Sequence, residues 1–338
     1  MTSQLRGAGI IGIGSFVPKT VLTNADLEKI VDTTDEWIVT RSGIRERRIL
    51  GDEDIACSDM GCEAAKRALE SAGIPVEKID LIICATITGD MPFPSTACLI
   101  QDKIGAVNAA AFDLHAGCSG WVYALSTATQ FIRSGTYDYV LVVGSDALSR
   151  CTDWTDRSTC VLFGDAAGAA VLAPAEEGAG VLATYLGSDG SGAHSLKINA
   201  GGSKMPTTEE TVRNGQHYIH MEGREVFKFA VKIMAEASLK VLDMCGLTHD
   251  DVDLFVPHQA NTRIIDAAAQ RLDLPAEKVF VNVQNYGNTS AASIPLALDE
   301  AYHSGRIKQG DVVVVVGFGA GLTWAAGVIK WTMPTRNA

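Results

Sequence analysis

The chain repeats itself at a fixed spacing, and that spacing limits what it can fold into. Gly14-Ser15 returns as Gly187-Ser188, Gly73 as Gly246, Asp80-Leu81 as Asp253-Leu254, and Gly144 as Gly317, each pair 173 positions apart. Ser134-Gly135 returns as Ser304-Gly305, 170 positions on. A period near half of the 338-residue length describes two copies of one α/β unit. At the shorter offset Cys118 falls on Asn288. The spacing therefore predicts a thiol in one copy and an amide at the equivalent place in the other, sharing one site.

The segments between the anchors say what each unit is made of. Leu81-Ile82-Ile83, Val140-Leu141-Val142-Val143 and the valine run at 312–316 are near-continuous apolar stretches, as in strands covered on both faces. Helical patterns at 58–72 and 225–244 separate them. The alternation predicts an α/β architecture with mainly parallel sheets. Pro174-Ala175-Glu176-Glu177-Gly178 marks the joint and divides the chain into halves, 1–175 and 176–338. The apolar stretches after Cys118 (Trp121, Val122, Leu125, Phe131, Ile132) and after Asn288 (Ile294, Leu296, Leu298, Ala301) predict a helical layer shared by two sheets. Pro295 is a candidate kink in the second of these helices.

Apolar residues make up 47% and charged residues 20%, a globular composition without a disorder signature. A net charge of −12 argues against non-specific nucleic-acid binding, which needs a basic footprint. None of the eight cysteines forms a C-x-x-C pair, and several lie in apolar runs, as Cys84 does. That pattern fits reduced, buried thiols in a cytoplasmic protein. The N-terminus has no secretory pattern, and the longest apolar stretch, near 312–326, is too short and glycine-rich to span a membrane.

Three side chains carry the chemistry. Cys118 lies in Leu114-His115-Ala116-Gly117-Cys118-Ser119-Gly120-Trp121, after a predicted strand at 109–114 and at the start of a predicted helix. Isolated cysteines are more often inert core residues. A strand-to-helix corner between glycines reverses that expectation, because a helix start favours thiolate and small neighbours admit a substrate. His258, in Val256-Pro257-His258-Gln259-Ala260-Asn261, follows a predicted strand, where an imidazole can donate a hydrogen bond or move a proton. Asn288, in Asn285-Tyr286-Gly287-Asn288-Thr289-Ser290, suits both a helix cap and a catalytic amide. Gly317-Phe318-Gly319-Ala320-Gly321 follows a strand and is either a tight turn or a loop aiming backbone N–H groups at an oxyanion. It lacks the spacing and following helix of a dinucleotide fingerprint. His217 and His220 have no third ligand nearby in sequence, so no metal is expected.

Taken together these segments resemble the thiolase-fold condensing enzymes, most closely the β-ketoacyl-acyl carrier protein synthase III family. The likeness extends over nearly the whole chain. It is also carried by Thr23-Asn24-Ala25-Asp26-Leu27-Glu28 and by the stretch from Asp35-Glu36-Trp37 to Arg45-Glu46-Arg47. The resemblance implies a five-layered αβαβα fold of two duplicated halves, a Cys-His-Asn triad at Cys118, His258 and Asn288, and a decarboxylative Claisen condensation initiating type II fatty acid synthesis. An acyl-CoA and malonyl-acyl carrier protein would be the substrates, with no cofactor and no metal. The N–H groups of Cys118 and Ala320 would form the oxyanion hole. Trp37, Arg41, Arg157 and Asn261 would hold coenzyme A, with Trp37 and Arg157 on opposite faces of the adenine. Lys228 and Arg263 would dock the carrier protein, and Phe93 would close the acyl pocket across a homodimer interface. A synthase or acyltransferase of the same fold with another acceptor is the alternative. The chain departs from the family pattern at His115-Ala116-Gly117, where it is usually closer to Asn-Ala-Ala, at Ala320, where glycine is usual and a methyl would restrict the loop, and at Trp154. These departures bear on primer preference.

Overall fold

The computed structural model describes residues 6–52 and 54–336. The apolar runs become strands of one sheet: β1 (Gly7–Phe16), β2 (Leu81–Ala85), β3 (Ala110–Leu114), β4 (Val140–Ala147), β5 (Asp165–Ala175), β6 (Gly180–Ser188), β7 (Leu254–Pro257), β8 (Val312–Gly319) and β9 (Thr323–Lys330). Their spatial order is β7-β8-β9-β6-β1-β5-β4-β2-β3. The order reads the same outward from the centre, β1-β5-β4-β2 on one side and β6-β9-β8-β7 on the other. The two half-sheets meet at a single bridge, Ala8 with Gly180. Glu176–Ala179 closes the predicted joint with a turn, Ala179 N–H to the Glu176 carbonyl at 3.1 Å.

Pairing is mixed rather than mainly parallel. β2 pairs parallel with β3 and β4, and β7 with β8. The pairs β1–β5, β4–β5, β8–β9 and β9–β6 are antiparallel. The reason is local: residues 320–322 turn β8 straight back into β9, and a strand returned by a short turn must run antiparallel.

Helices complete five layers. Cys57–Ala72 and Thr96–Ile104 cover the outer face of the first half-sheet, and Gly223–Met244, with Thr262–Arg271 packed on it, covers the second. Between the half-sheets lie Gly120–Arg133 and Ser293–His303. The first packs on β2 and β4 of its own half and on β8 and β9 of the other, the second on β7 and on β1 and β5. Trp121, Val122 and Leu125 from one and Ile294, Ala297 and Leu298 from the other are fully or almost fully buried in one core with β2, β4 and β8. Pro295 sits in the first turn of its helix, where its missing N–H deprives no helical bond, so the expected kink is not needed.

The repeat aligns differently from the sequence expectation. The corner turns Gly117–Ser119 and Ser290–Ala292 match at 173 positions, and so do the helix starts Gly120 and Ser293. The first helix has 14 residues and the second 11, so the three-residue loss lies inside the helix. Cys118 is therefore equivalent to Ala291, and Asn288 to His115.

Candidate active site

Cys118 occupies the corner after β3 and immediately before the helix Gly120–Arg133. Glycine is required on both sides of this corner. Gly117 has φ +54, and a Cβ there would lie 2.8 Å from Ala320 N. A Cβ on Gly319 would lie 2.3 Å from Cys118 N. The end of β8 thus lies against the corner with no room for a methyl between them. The Thr323 hydroxyl ties the two together, 2.8 Å from the Ala116 carbonyl and 2.9 Å from Ser119 Oγ. Ala320 keeps an ordinary backbone. The positive φ in this loop falls on Gly321 (+145), so the extra methyl is accommodated without the expected restriction.

Cys118 is 7% exposed. Burial pushes the thiol from 9.0 up to about 12, the Ser290 hydroxyl opposes this, and the Asp146 carboxylate adds to it. A helix start contributes at most about 2 kcal/mol, roughly 1.5 pH units, and does not offset that burial. The expectation of a thiol held ionised is therefore corrected: at rest it carries its proton.

His258 and Asn288 come from the second half. His258 follows β7 and is fully buried, which lowers its pKa to about 3 and keeps it neutral. Its Nδ1 lies 2.6 Å from Ser293 Oγ, while Nε2 is buried with no partner among the described residues. Ser293 Oγ also accepts, at 3.4 Å, from Gln259 N–H, so it holds the imidazole by its Nδ1 edge and leaves Nε2 facing away from it. The Phe318 ring stands edge-on to the imidazole, centroids 5.4 Å apart. Asn288 is anchored by its backbone, N–H to the Leu162 carbonyl at 2.8 Å and carbonyl to Gly164 N–H at 3.0 Å. Its Oδ1 accepts from Ser290 N–H at 2.9 Å, so it caps the second corner and keeps its NH2 for other work. Cys118, His258 and Asn288 line one small cavity together with Phe318, Gly319 and Asn261.

Two larger spaces open from it. Ile87, Leu148, Phe163, Leu196, Ile219 and Ala320 line an apolar pocket of about 210 Å³ beside Cys118. On the other side, Trp37, Arg41, Arg224, Lys228, Asn261 and Arg263 line a groove of about 530 Å³. Asn261 borders both groove and cavity and also caps the helix Thr262–Arg271. Arg263 stacks on Phe227 at 5.1 Å. Trp37 carries Arg41 at 4.3 Å and Arg157 at 4.8 Å from its ring centre. Aromatic contacts run near 3.5–4 Å, so Arg157 leaves no gap for a base between itself and the indole. Arg157 is also bound to the Asp32 carbonyl at 2.7 Å, and it must swing outward for the expected sandwich to form. Phe93 is 84% exposed and lies away from the pocket of its own chain.

Sequence reasoning missed Ser293, Ser290, Asp146, Phe318 and Arg224. Only Ser290 had a signal in the text, as the residue 173 positions after Gly117. Trp154 packs in a cluster with Trp37, Leu22 and Val161. Neither His217 nor His220 belongs to a metal-like group. The one such group among the described residues is His194, Glu222 and Glu225, all exposed.

Family models for 3-oxoacyl-(acyl-carrier-protein) synthase III match residues 112–190, and its C-terminal part matches 242–331. A beta-ketoacyl-(acyl-carrier-protein) synthase III of Caldanaerobacter subterraneus is 58% identical over 96% of this chain and 98% of its own. One from Clostridioides difficile is 55% identical over 96% and 99%. This chain belongs to the 3-oxoacyl-(acyl-carrier-protein) synthase III family. It is accordingly an acyltransferase of the condensing type with the thiolase fold. The crystal structure of the synthase III from Aquifex aeolicus superposes with a TM-score of 0.88 at 49% identity, covering 96% of this chain and all of that one. The priming beta-ketosynthase of the R1128 polyketide pathway superposes at 0.91 with 37% identity, covering 99% of each chain. The higher identities to synthase III do not favour the other-acceptor alternative. No described helix is long and apolar enough to cross a membrane, and all eight cysteines are free.

Proposed function

We propose that this chain condenses an acyl-CoA primer with malonyl-acyl carrier protein, releasing CO2 and giving β-ketoacyl-acyl carrier protein, the first elongation of type II fatty acid synthesis. The observation that carries the reading is the meeting on one cavity of a buried thiol, an imidazole whose Nε2 has no partner among the described residues, and the Asn288 amide, within this family. Cys118 takes the acyl group and coenzyme A leaves. The N–H groups of Cys118 and Ala320 hold the oxyanion. The malonyl thioester then lies against His258 Nε2–H and the Asn288 NH2, which stabilise the enolate formed as CO2 departs, and the enolate carbon attacks the acyl-enzyme. Splitting the reaction at a covalent acyl-enzyme replaces one hard step by two easier ones. A neutral His258 suits the donor role because, unlike an imidazolium, it can hydrogen-bond the enolate oxygen without protonating the enolate.

The 210 Å³ pocket receives the acyl chain. An apolar cavity of about 150 Å³ holds benzene, so the space accommodates a primer longer than acetyl. The groove receives coenzyme A and the carrier arm, with Trp37, Arg41, Arg157 and Asn261 on the former. Arg224, Lys228 and Arg263 are a basic mouth on a protein of net charge −12, the arrangement an acidic carrier protein needs. A second copy of the chain covers the open edge of β3, the last strand of the sheet, where Phe93, Val107, Met91 and Phe112 are exposed. The pair works in the cytoplasm.

Intact-protein mass spectrometry after incubation with a panel of acyl-CoAs tests the reading. A single acyl adduct on Cys118, discharged by malonyl-acyl carrier protein with release of CO2, is expected. Hydrolysis to free acid without CO2, or no adduct with any acyl-CoA, would sink it.

A further inference from the structure

The duplication supplies a second corner without a thiol, and comparing the two isolates what the first one needs. Ala291 stands where Cys118 does, Ala147 where Ala320 does, and Asp146 where Gly319 does, each pair 173 positions apart. Both corners press on a strand glycine. A Cβ on Gly144 would lie 2.4 Å from the Ala291 carbonyl oxygen, and one on its equivalent Gly317 would lie 3.3 Å from that of Cys118. In the second corner both N–H groups equivalent to the oxyanion pair are spent inside the protein. Ala291 N–H reaches an Asp146 carboxylate oxygen at 3.2 Å, and Ala147 N–H reaches Thr88 Oγ1 at 2.8 Å. At the thiol corner glycine replaces that carboxylate, so no side chain at 319 fills the place of a substrate oxygen.

A corner kept open in this way loses the carboxylate that ties its counterpart to the strand, and two hydroxyls take over the tie. Thr323 opens β9 opposite Gly319, across the turn that holds Ala320. Its Oγ1 lies 2.8 Å from the Ala116 carbonyl, 3.1 Å from the Ala320 carbonyl and 2.9 Å from Ser119 Oγ. Ser119 Oγ is itself 2.7 Å from the Ala116 carbonyl. Two hydroxyl protons are thus shared among four oxygens, two from the corner that carries Cys118 and two from the loop that carries Ala320. Ser119 is fully buried, which makes its hydrogen bonds costly to lose. The second corner has Ala292 in the place of Ser119 and so lacks that hydroxyl.

We propose that Thr323 is a positioning residue for the oxyanion hole: its hydroxyl latches the Ala320 loop to the Cys118 corner, so that two backbone N–H groups converge on one acyl oxygen. It acts through Ala116, Ser119 and Ala320. The physical reason is a narrow distance window. Oxyanion donors work at about 2.7–3.1 Å from the oxygen they hold, so a gap wider by half an ångström puts one of the two out of reach. A methyl group stands about 3.3–3.6 Å from a carbonyl oxygen, where the Thr323 hydroxyl stands at 2.8 Å. Replacing that hydroxyl by a methyl therefore opens the gap by about that half ångström. The inference rests on the acyl-enzyme reading above and deepens it.

The test follows acylation of the full-length enzyme by rapid quench and intact mass over a range of butyryl-CoA concentrations. Thr323→Val, with a methyl in the hydroxyl's place, is expected to lower the limiting acylation rate about tenfold or more, since a misplacement of about 1 Å costs about a hundredfold. The half-saturating concentration should stay within about twofold, because a latch on the oxyanion donors acts on the transition state and not on coenzyme A binding. Thr323→Ala should lose as much, and Thr323→Ser, which returns the hydroxyl to the same Cβ, should keep the rate within about threefold of the unaltered enzyme. The serine and alanine variants differ by that one hydroxyl, so their comparison decides even if Thr323→Val is insoluble. Unchanged acylation by Thr323→Ala overturns the proposal. Equal losses in Thr323→Ser and Thr323→Ala overturn it too, as that marks lost packing. A raised half-saturating concentration at an unchanged limiting rate overturns it as well, as that marks a role in binding. If the unaltered enzyme is not acylated on Cys118, the proposed function fails instead.

Discussion

Residue by residue, the site divides its labour between the two halves. Cys118→Ala is expected to abolish acyl transfer. On the proposed roles, His258→Ala and Asn288→Ala should each slow decarboxylation about 10²–10³-fold, the usual loss for one such donor, with acyl-enzyme still detectable by mass. Gly319→Ala should be nearly as damaging as either, because its methyl lands 2.3 Å from Cys118 N, and the oxyanion pair cannot form without the corner and loop in contact. A steady-state assay showing full activity in Gly319→Ala would refute the close-approach argument. That Cys118, His258 and Asn288 are candidates for one site was legible in the sequence, from the glycines around Cys118, the strand end before His258 and the cap motif at Asn288, and the three line one cavity. Ser293 was not legible. Its contact with His258 spans 35 residues of chain and exists only once β7 and the second central helix are packed. The protonation state of Cys118 was misjudged for a related reason, since a helix start is visible in sequence and the depth of burial is not.

At the scale of elements, the duplication predicted the strands and helices well and their alignment less well. Repeats of glycine mark turns, and turns do not reveal a deletion inside a helix. Hence Cys118 was matched to Asn288 instead of Ala291. Parallel pairing was overestimated because apolar runs look alike whichever way they point. The groove offers a prediction of its own. The helix Asp35–Ser42 presents Trp37 and Arg41, and Arg157 closes over the indole while bound to Asp32. Trp37→Ala should raise the KM for acyl-CoA with little change in kcat for acylation, as uniform binding is lost. Arg157→Ala removes a weak stacking contact together with a lid, so its effect on KM should be smaller, within about threefold. Isothermal titration with coenzyme A checks both.

For the molecule as a whole, two properties follow. The apolar edge of β3 should be covered by a second copy, and Phe93→Asp with Val107→Lys should convert a dimer to a monomer in light scattering. A monomeric parent protein would refute that assignment. Stability should also depend on pH through His258. Its folded pKa is about 3 and the free imidazole's about 6.5, so the unfolded chain takes up a proton that the folded one refuses. Its contribution is intact above pH 6.5 and is lost as pH falls toward 3. Between pH 7 and 4.5 the loss is roughly 2–3 kcal/mol, and urea midpoints should show that slope shrinking in His258→Gln.

The turn at Glu176–Ala179 joins the stretch that carries Cys118 to the stretch that carries His258 and Asn288. Gly178 there has open space around it. A protease site inserted at that turn would yield two fragments, one with the sulfur and one with the imidazole and amide, still clasped through the central helices. Catalysis after cleavage would then report reassociation, and a loss of turnover on dilution would measure how tightly one ancestral unit grips its twin.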